Sequence, residues 1–160
     1  MDNIKILLSL DQSTKKTGFC IVKNGRYYKS GVLVVNENEK AYERMRLMNE
    51  KISELISKVK PDYVVFEQIQ FQHNYSTYRQ LAQLQGIIMA YLFTHDIPFT
   101  VIESTAWKSF IGITGKKREE QKKNTQKFVL DKYGLDVTDD EADSIGIAEW
   151  SIAHIIERIE

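Results

Sequence analysis

Pro61-Asp62-Tyr63-Val64-Val65-Phe66-Glu67-Gln68 is the stretch that decides the architecture. Its apolar core, Tyr63 to Phe66, is too short for a helix and shows no alternation of apolar and polar positions. Such a run marks a strand buried on both faces, the kind found inside a parallel sheet covered by helices. The flanking chain must then supply those covering layers.

Upstream, Asn38 to Lys60 carries Ala41, Met45, Met48, Ile52, Leu55, Ile56 and Val59. Steps of three and four predict an amphipathic helix, which Pro61 ends. Further back, Ile4 to Leu10 reads as an apolar strand, and Asp11 to Lys16 as a polar turn. Gly18 to Val22 is β-rich, Asn24-Gly25 is a hairpin signal, and Arg26 to Val35 returns, so three strands open the chain, antiparallel to one another. Downstream, Ser76 or Thr77 is placed to cap a helix running to Phe93, and Pro98 to Ile102 is another short strand. Ser104 is expected to cap a short helix to Ile111; Lys116 to Tyr133 reads as a helix ended by Gly134, and a last helix runs from about Asp139 to Arg158. The predicted fold is α/β: three antiparallel strands, then two parallel strands, in a mixed sheet flanked by helices. That order matches the ribonuclease-H-like arrangement, and fits several other α/β sandwiches as well.

No repeat, low-complexity tract or linker interrupts the 160 residues, so a single domain over 1–160 is expected. Hydrophobic residues at 42% and charged residues at 28% are ordinary for a soluble globular protein. Lys plus Arg number 22, as do Asp plus Glu. That balance argues against a purely electrostatic nucleic-acid binder, which needs a large positive surplus. It is compatible with a nuclease whose acids gather around metal ions. Cys20 is the only cysteine, and His73, His95 and His154 are scattered, which excludes a disulfide framework and speaks against a structural zinc site. No apolar run approaches the roughly 20 residues that span a bilayer, and the N-terminus leads directly into a strand. A cytoplasmic protein with no membrane contact is expected.

Four carboxylates stand out by position. Asp11 ends the first strand and Glu67 the buried one, while Asp140 and Asp143 lie three apart at the start of the final helix. That spacing puts the last two on one side, with Cβ atoms roughly 5–6 Å apart. Each also has an ordinary structural explanation: Asp favours turns, Glu67 follows a core strand, and Thr138-Asp139-Asp140-Glu141 fits a capping box. Converging on one pocket, the four would repel one another and need a cation, and an all-oxygen set suits Mg²⁺ or Mn²⁺.

In sequence order the motifs are Leu8-Ser9-Leu10-Asp11-Gln12-Ser13-Thr14-Lys15-Lys16-Thr17-Gly18, Val64-Val65-Phe66-Glu67-Gln68, Leu81-Ala82-Gln83-Leu84-Gln85-Gly86 and Asp140-Glu141-Ala142-Asp143-Ser144. Together they resemble the RuvC family of Holliday-junction resolvases, especially its short phage-encoded members, over nearly the whole chain. The resemblance implies a metal-dependent endonuclease that nicks Holliday junctions and other branched DNA, forks and flaps included. It implies Asp11, Glu67, Asp140 and Asp143 as catalytic metal ligands for two Mg²⁺ ions, with Mn²⁺ able to substitute. It further implies a homodimer built around the helix after the Glu67 strand, working in the cytoplasm, that of the host if phage-encoded. Two divalent ions would offset four of the acids and leave the rest of the chain near about +4, favourable to a phosphate backbone.

The family also has a basic residue near its metals, matched here by Lys122, with Lys123 as the alternative. Lys116, Lys117, Arg118 and Lys123 in the same basic segment are expected to meet DNA, and a merely solvated helix face would look the same in sequence. Lys15, Lys16 and Lys108 are candidates for flanking phosphates. The chain departs from the family in two places. The Pro-Gly common after the first Asp is Gln12-Ser13, and the aromatic residue common three positions after the Glu is Gln70, with Phe71 adjacent. Gln70 and Phe71 belong to a polar, aromatic-interleaved loop that fits stacking on unpaired bases and equally fits an ordinary surface loop.

Two other classes remain open on the residues alone. One is a branched-DNA binder without catalysis, against which the presence of all four acids argues. The other is an actin-like ATP-binding phosphotransfer domain, since Leu10 to Gly18 also resembles the first phosphate loop of sugar kinases. Such enzymes need a second domain, for which 160 residues leave no room.

Overall fold

The computed structural model describes residues 3–157. Its strands are β1 (Ile6–Asp11), β2 (Lys16–Lys23), β3 (Arg26–Val34), β4 (Tyr63–Glu67) and β5 (Phe99–Ile102). Its helices are α1 (Ala41–Val59), α2 (Tyr75–Thr94), α3 (Ser104–Phe110), α4 (Arg118–Tyr133) and α5 (Asp139–Ser151). The strands form one five-stranded sheet in the order β3-β2-β1-β4-β5. β1, β2 and β3 pair antiparallel, while β4 runs parallel to both β1 and β5. This is the mixed sheet expected from the sequence. Asn24 and Gly25, at φ 51° and 75°, make the tight turn of the first hairpin.

Period-two alternation splits the strand side chains between two cores. Leu8, Leu10, Val64 and Phe66 face α1 and α2, packing on Met48, Ile52, Leu84 and Ile88. Leu7, Cys20 and Val65 face the other layer, with Trp107 of α3, Val129 of α4 and Ile145 of α5. β1 and β4 are therefore covered on both sides, as the unbroken apolar run of β4 requires. At the start of the β1–β4 pair, the Asp62 carboxylate accepts the N–H groups of Lys5 and Ile6 at 2.9 and 2.8 Å, and Asp62 N–H donates to the Ile6 carbonyl at 2.8 Å. Side chain and backbone together fix the register there.

Several boundaries move for local reasons. α1 starts at Ala41 rather than Asn38, because Asn36 folds residues 36–39 into a turn: its side chain accepts the Asn38 N–H at 3.0 Å and its carbonyl the Glu39 N–H. The cap of α2 is Asn74, whose Oδ1 accepts from Thr77 N–H, instead of Ser76 or Thr77. Ser104 is the first residue of α3 rather than its cap, and its hydroxyl accepts from Gln70 Nε2 at 2.8 Å. α4 begins at Arg118, two residues later than expected, and ends on Gly134 in the left-handed conformation, as read. The last helix keeps α geometry only to Ser151 and continues as a π-helical turn over Ile152–Ile156. Here the Ile152 N–H is shared between the carbonyls of Ala148 and Glu149, and the His154 ring stacks on Trp150 at 4.7 Å. The end expected at Arg158 lies outside the described residues.

Candidate active site

Asp11 and Glu67 are the last residues of β1 and β4. Because the two strands are parallel neighbours, their carboxyl ends open at the same edge of the sheet, where α/β folds place their sites. Two contacts bring α5 to that edge. The buried Ser9 hydroxyl of β1 donates to the Ser144 carbonyl at 2.6 Å. Gly18, which pairs with Asp11 across β1 and β2, lies against the α5 backbone: a Cβ there would sit 1.9 Å from the Asp140 carbonyl oxygen. Only a glycine admits this approach, and it sets Asp140 beside Asp11. Thr138 caps α5 by accepting the Glu141 N–H, which leaves Asp140 and Asp143 free of the cap. Behind them Gly146 receives the Trp107 ring, at 2.5 Å from where a Cβ would stand.

The four carboxylates line one cavity of about 990 Å³. Their electrostatics confirm mutual proximity. Burial, then the charges of Glu67, Asp143 and Asp140, hold the Asp11 carboxyl well above the ordinary range. Burial, followed by Glu67, pushes Asp143 up to about 7, with Lys108 opposing. Glu67 is raised by burial and relieved by Lys108, the Trp107 N–H and Arg118; Asp140 is raised by burial and Asp139 and relieved by Lys16 and Lys122. A group that cannot all ionise without a counter-charge, offering only carboxylate oxygens, fits hard divalent cations. The side chains share the cavity without closing into a ligand set: no three His, Cys, Asp or Glu among the described residues stand ready to hold an ion as placed.

Of the basic candidates, Lys108, Lys116, Arg118 and Lys122 line the cavity. Lys122 lines the cavity and pairs with Asp139 at 3.1 Å, whereas Lys123 is exposed and does not line it. Lys108 donates to Gln121 Oε1 at 3.2 Å, and Arg118 hydrogen-bonds Gln72 of the β4–α2 loop. Lys15, Lys16 and Lys117 are exposed outside the lining, although Lys16 acts on Asp140 through its charge. Gln70 lines the cavity; Phe71 is exposed and meets the Tyr78 ring edge-on at 5.6 Å.

Four neighbours did not stand out as site residues from the sequence alone. Asp139, which the sequence placed only in a capping box, lines the cavity and pairs with Lys122. Gln12 and Gln85, both buried, donate their side-chain amides to the Glu67 carbonyl at 2.8 and 3.4 Å. Trp107 is fully buried, and its Nε1 has no partner at hydrogen-bond distance. The only hint of Gln12 in the sequence was the departure from Pro-Gly.

A model of the family described as crossover junction endodeoxyribonuclease RuvC matches residues 7–154. Crossover junction endodeoxyribonuclease RuvC of Hydrogenovibrio crunogenus is 29% identical over 125 residues, covering 76% of this chain and 72% of the relative. That of Shewanella sediminis is 26% identical over 149 residues, covering 91% and 85%. Among solved structures, Thermus thermophilus RuvC in complex with a Holliday-junction substrate superposes with a TM-score of 0.73 at 16% identity, over 94% of this chain and 97% of that one. The yeast mitochondrial Holliday-junction resolvase superposes with a TM-score of 0.64 at 16% identity, over 99% and 84%. The structural likenesses carry the fold; the family match also takes in the Leu10 to Gly18 stretch that resembled a kinase phosphate loop. With strand order, carboxylate placement and a family match over residues 7–154 in agreement, the chain belongs to the RuvC family of crossover junction endodeoxyribonucleases.

Proposed function

We propose that this protein, as one nuclease domain over 1–160, nicks Holliday junctions, and forks and flaps besides, by metal-dependent hydrolysis of a phosphodiester. The observation that carries the reading is the convergence of Asp11, Glu67, Asp140 and Asp143 on a single cavity rimmed by Lys108, Lys116, Arg118 and Lys122. Acids at the floor and cations at the rim match a phosphate backbone that must be drawn over a metal site.

The four carboxylates would hold two Mg²⁺ ions, or Mn²⁺ in their place. When bound, such ions activate a water and stabilise the departing oxygen. The chain's own side chains do the rest. Lys122, held by Asp139 in the free protein, turns to the scissile phosphate when DNA enters. Lys108 acts on both Glu67 and Asp143 and neutralises phosphate charge on the same side. Arg118 and Lys116 meet flanking phosphates, and Phe71 with Tyr78 offers rings to unpaired bases at the branch. Lys15, Lys16, Lys117 and Lys123, further out, add sequence-independent attraction. We place the protein in the cytoplasm; no helix among the described residues is long and apolar enough to cross a membrane.

The test is cleavage of end-labelled Holliday junction, fork, flap and linear duplex, with Mg²⁺ and with chelator. Nicks near the branch point that require Mg²⁺ are expected, with linear duplex spared. Junction binding with no cleavage in either Mg²⁺ or Mn²⁺ would overturn the catalytic reading in favour of a binding protein.

A further inference from the structure

Glu67 is held in a way its strand does not by itself provide. β4 pairs with β1 through Leu10 and Phe66, and the register ends there. One residue further on, Asp11 and Glu67 stand at adjoining strand ends as two like charges, each beyond the last shared rung. The Glu67 carbonyl accepts no backbone N–H from β1; it accepts the side-chain amide of Gln12 at 2.8 Å and that of Gln85, from α2, at 3.4 Å. Both glutamines are buried. Since only an NH₂ group can face a carbonyl, the Gln12 amide has one permitted orientation, and this leaves its Oε1 as a buried acceptor with no partner. Gln12 Oε1 and Trp107 Nε1 are the two such orphans among the described residues, and the first belongs to the side chain that holds the Glu67 carbonyl. Buried orphans are rare, and one left by the amide that holds Glu67 calls for a reason beyond packing.

We propose that Gln12 is a positioning residue for the metal site. Its side chain serves as an extra rung of the β1–β4 ladder, holding Glu67 beside Asp11 against their repulsion so that both carboxylates reach a divalent cation. Asp62 does the corresponding work at the other end of the same strand pair. A proline in place of Gln12 has no amide to give, so this chain fixes Glu67 by a device its family's Pro-Gly lacks. Gln85 supports the same carbonyl from the helix side. The inference rests on the reading of Asp11 and Glu67 as metal ligands.

The experiment is Mn²⁺ binding to the DNA-free protein, followed by electron paramagnetic resonance, for the parent, Gln12→Met and Glu67→Gln. Met keeps length and volume but has no N–H. Gln12→Met should weaken Mn²⁺ binding about tenfold or more, the scale on which outer-shell partners act. Its thermal midpoint in chelator and its junction affinity should stay near the parent's, and excess Mn²⁺ should restore cleavage. Parental Mn²⁺ affinity in Gln12→Met, with binding lost in Glu67→Gln, would overturn the role of Gln12 alone. Parental affinity in Glu67→Gln would overturn the metal site itself. If Gln12→Met does not fold, Gln12→Leu, equally without an N–H and shorter, must show the same deficit, and parental Mn²⁺ affinity there sinks the proposal equally.

Discussion

Burial and the neighbouring Glu67 carboxylate push Asp143 up to about 7. A carboxyl whose pKa is raised on folding binds more protons in the native state than in the unfolded chain, so stability falls as pH rises between the ordinary value near 4 and the shifted one. With chelator present, the protein should melt at a higher temperature at pH 5 than at pH 7.5. Mg²⁺ at pH 7.5 should recover the difference, since a cation offsets the repulsion among Asp11, Glu67, Asp140 and Asp143. Melting curves at the two pH values with and without metal check this; a chelated protein equally stable at both would remove the electrostatic argument. Asp143→Asn and Asp140→Asn should each lower cleavage by at least about 10²–10³-fold while leaving junction binding intact or tighter, because a negative charge near phosphate is gone. Full activity in Asp143→Asn would sink its assignment. Asp139→Asn should cost far less, about tenfold or under, because Asp139 touches the reaction only through Lys122 and through its charge.

At the scale of elements, the site depends on how closely α5 lies on β2. Gly18→Ala would press a methyl into the Asp140 backbone, which cannot yield, so a lower melting temperature and loss of cleavage are expected together. Gly31→Ala is the informative comparison: its methyl would meet the Phe19 ring at 2.8 Å, a side chain able to shift, and cleavage should survive. For α4, neutralising Lys116, Lys117, Arg118, Lys122 and Lys123 singly should each reduce the salt slope of junction binding by about one unit or less. Lys116, Arg118 and Lys122, which line the cavity, should exceed Lys117 and Lys123, which do not. A slope unchanged when all five are replaced would leave α4 as a solvated face. The order of these elements was legible because apolar periodicity reports burial directly: Tyr63 to Phe66 announced a strand covered twice, and Met45, Met48 and Ile52 a helix over it. The capping of α2 by Asn74 and the π-helical turn at Ile152 were not, since hydrogen-bond sharing over a single residue leaves no periodic trace. The acids could be picked out as strand and helix ends. Gln12 and Gln85 could not, because what they do is decided by a contact with Glu67 from 18 to 55 residues away.

The whole molecule raises the matter of number. A four-way junction offers two equivalent strands, and a two-fold dimer would place one site on each. α2 has spent part of its apolar arc inside the monomer: Leu84, Ile88 and Leu92 are buried, and Ile87, Met89 and Tyr91 pack against the same core. Phe93 remains exposed, and Leu81 turns to the cavity. We expect light scattering with junction DNA to give a protein mass of twice 18.6 kDa and paired, symmetric nicks from one binding event. A monomer leaving junctions singly nicked would make the protein a general branch nuclease instead.

The distribution of the acids along the chain also has a consequence in time. Asp11 and Glu67 belong to the first half, whereas Asp140 and Asp143 arrive on α5, the helix that must close over β1 and β2. A ribosome that has released the first 137 residues has made every strand of the sheet and two of the four proposed metal-binding carboxylates. If cutting needs all four acids, as proposed, it begins only when α5 docks, and a chain abandoned midway through translation would leave the DNA around it intact.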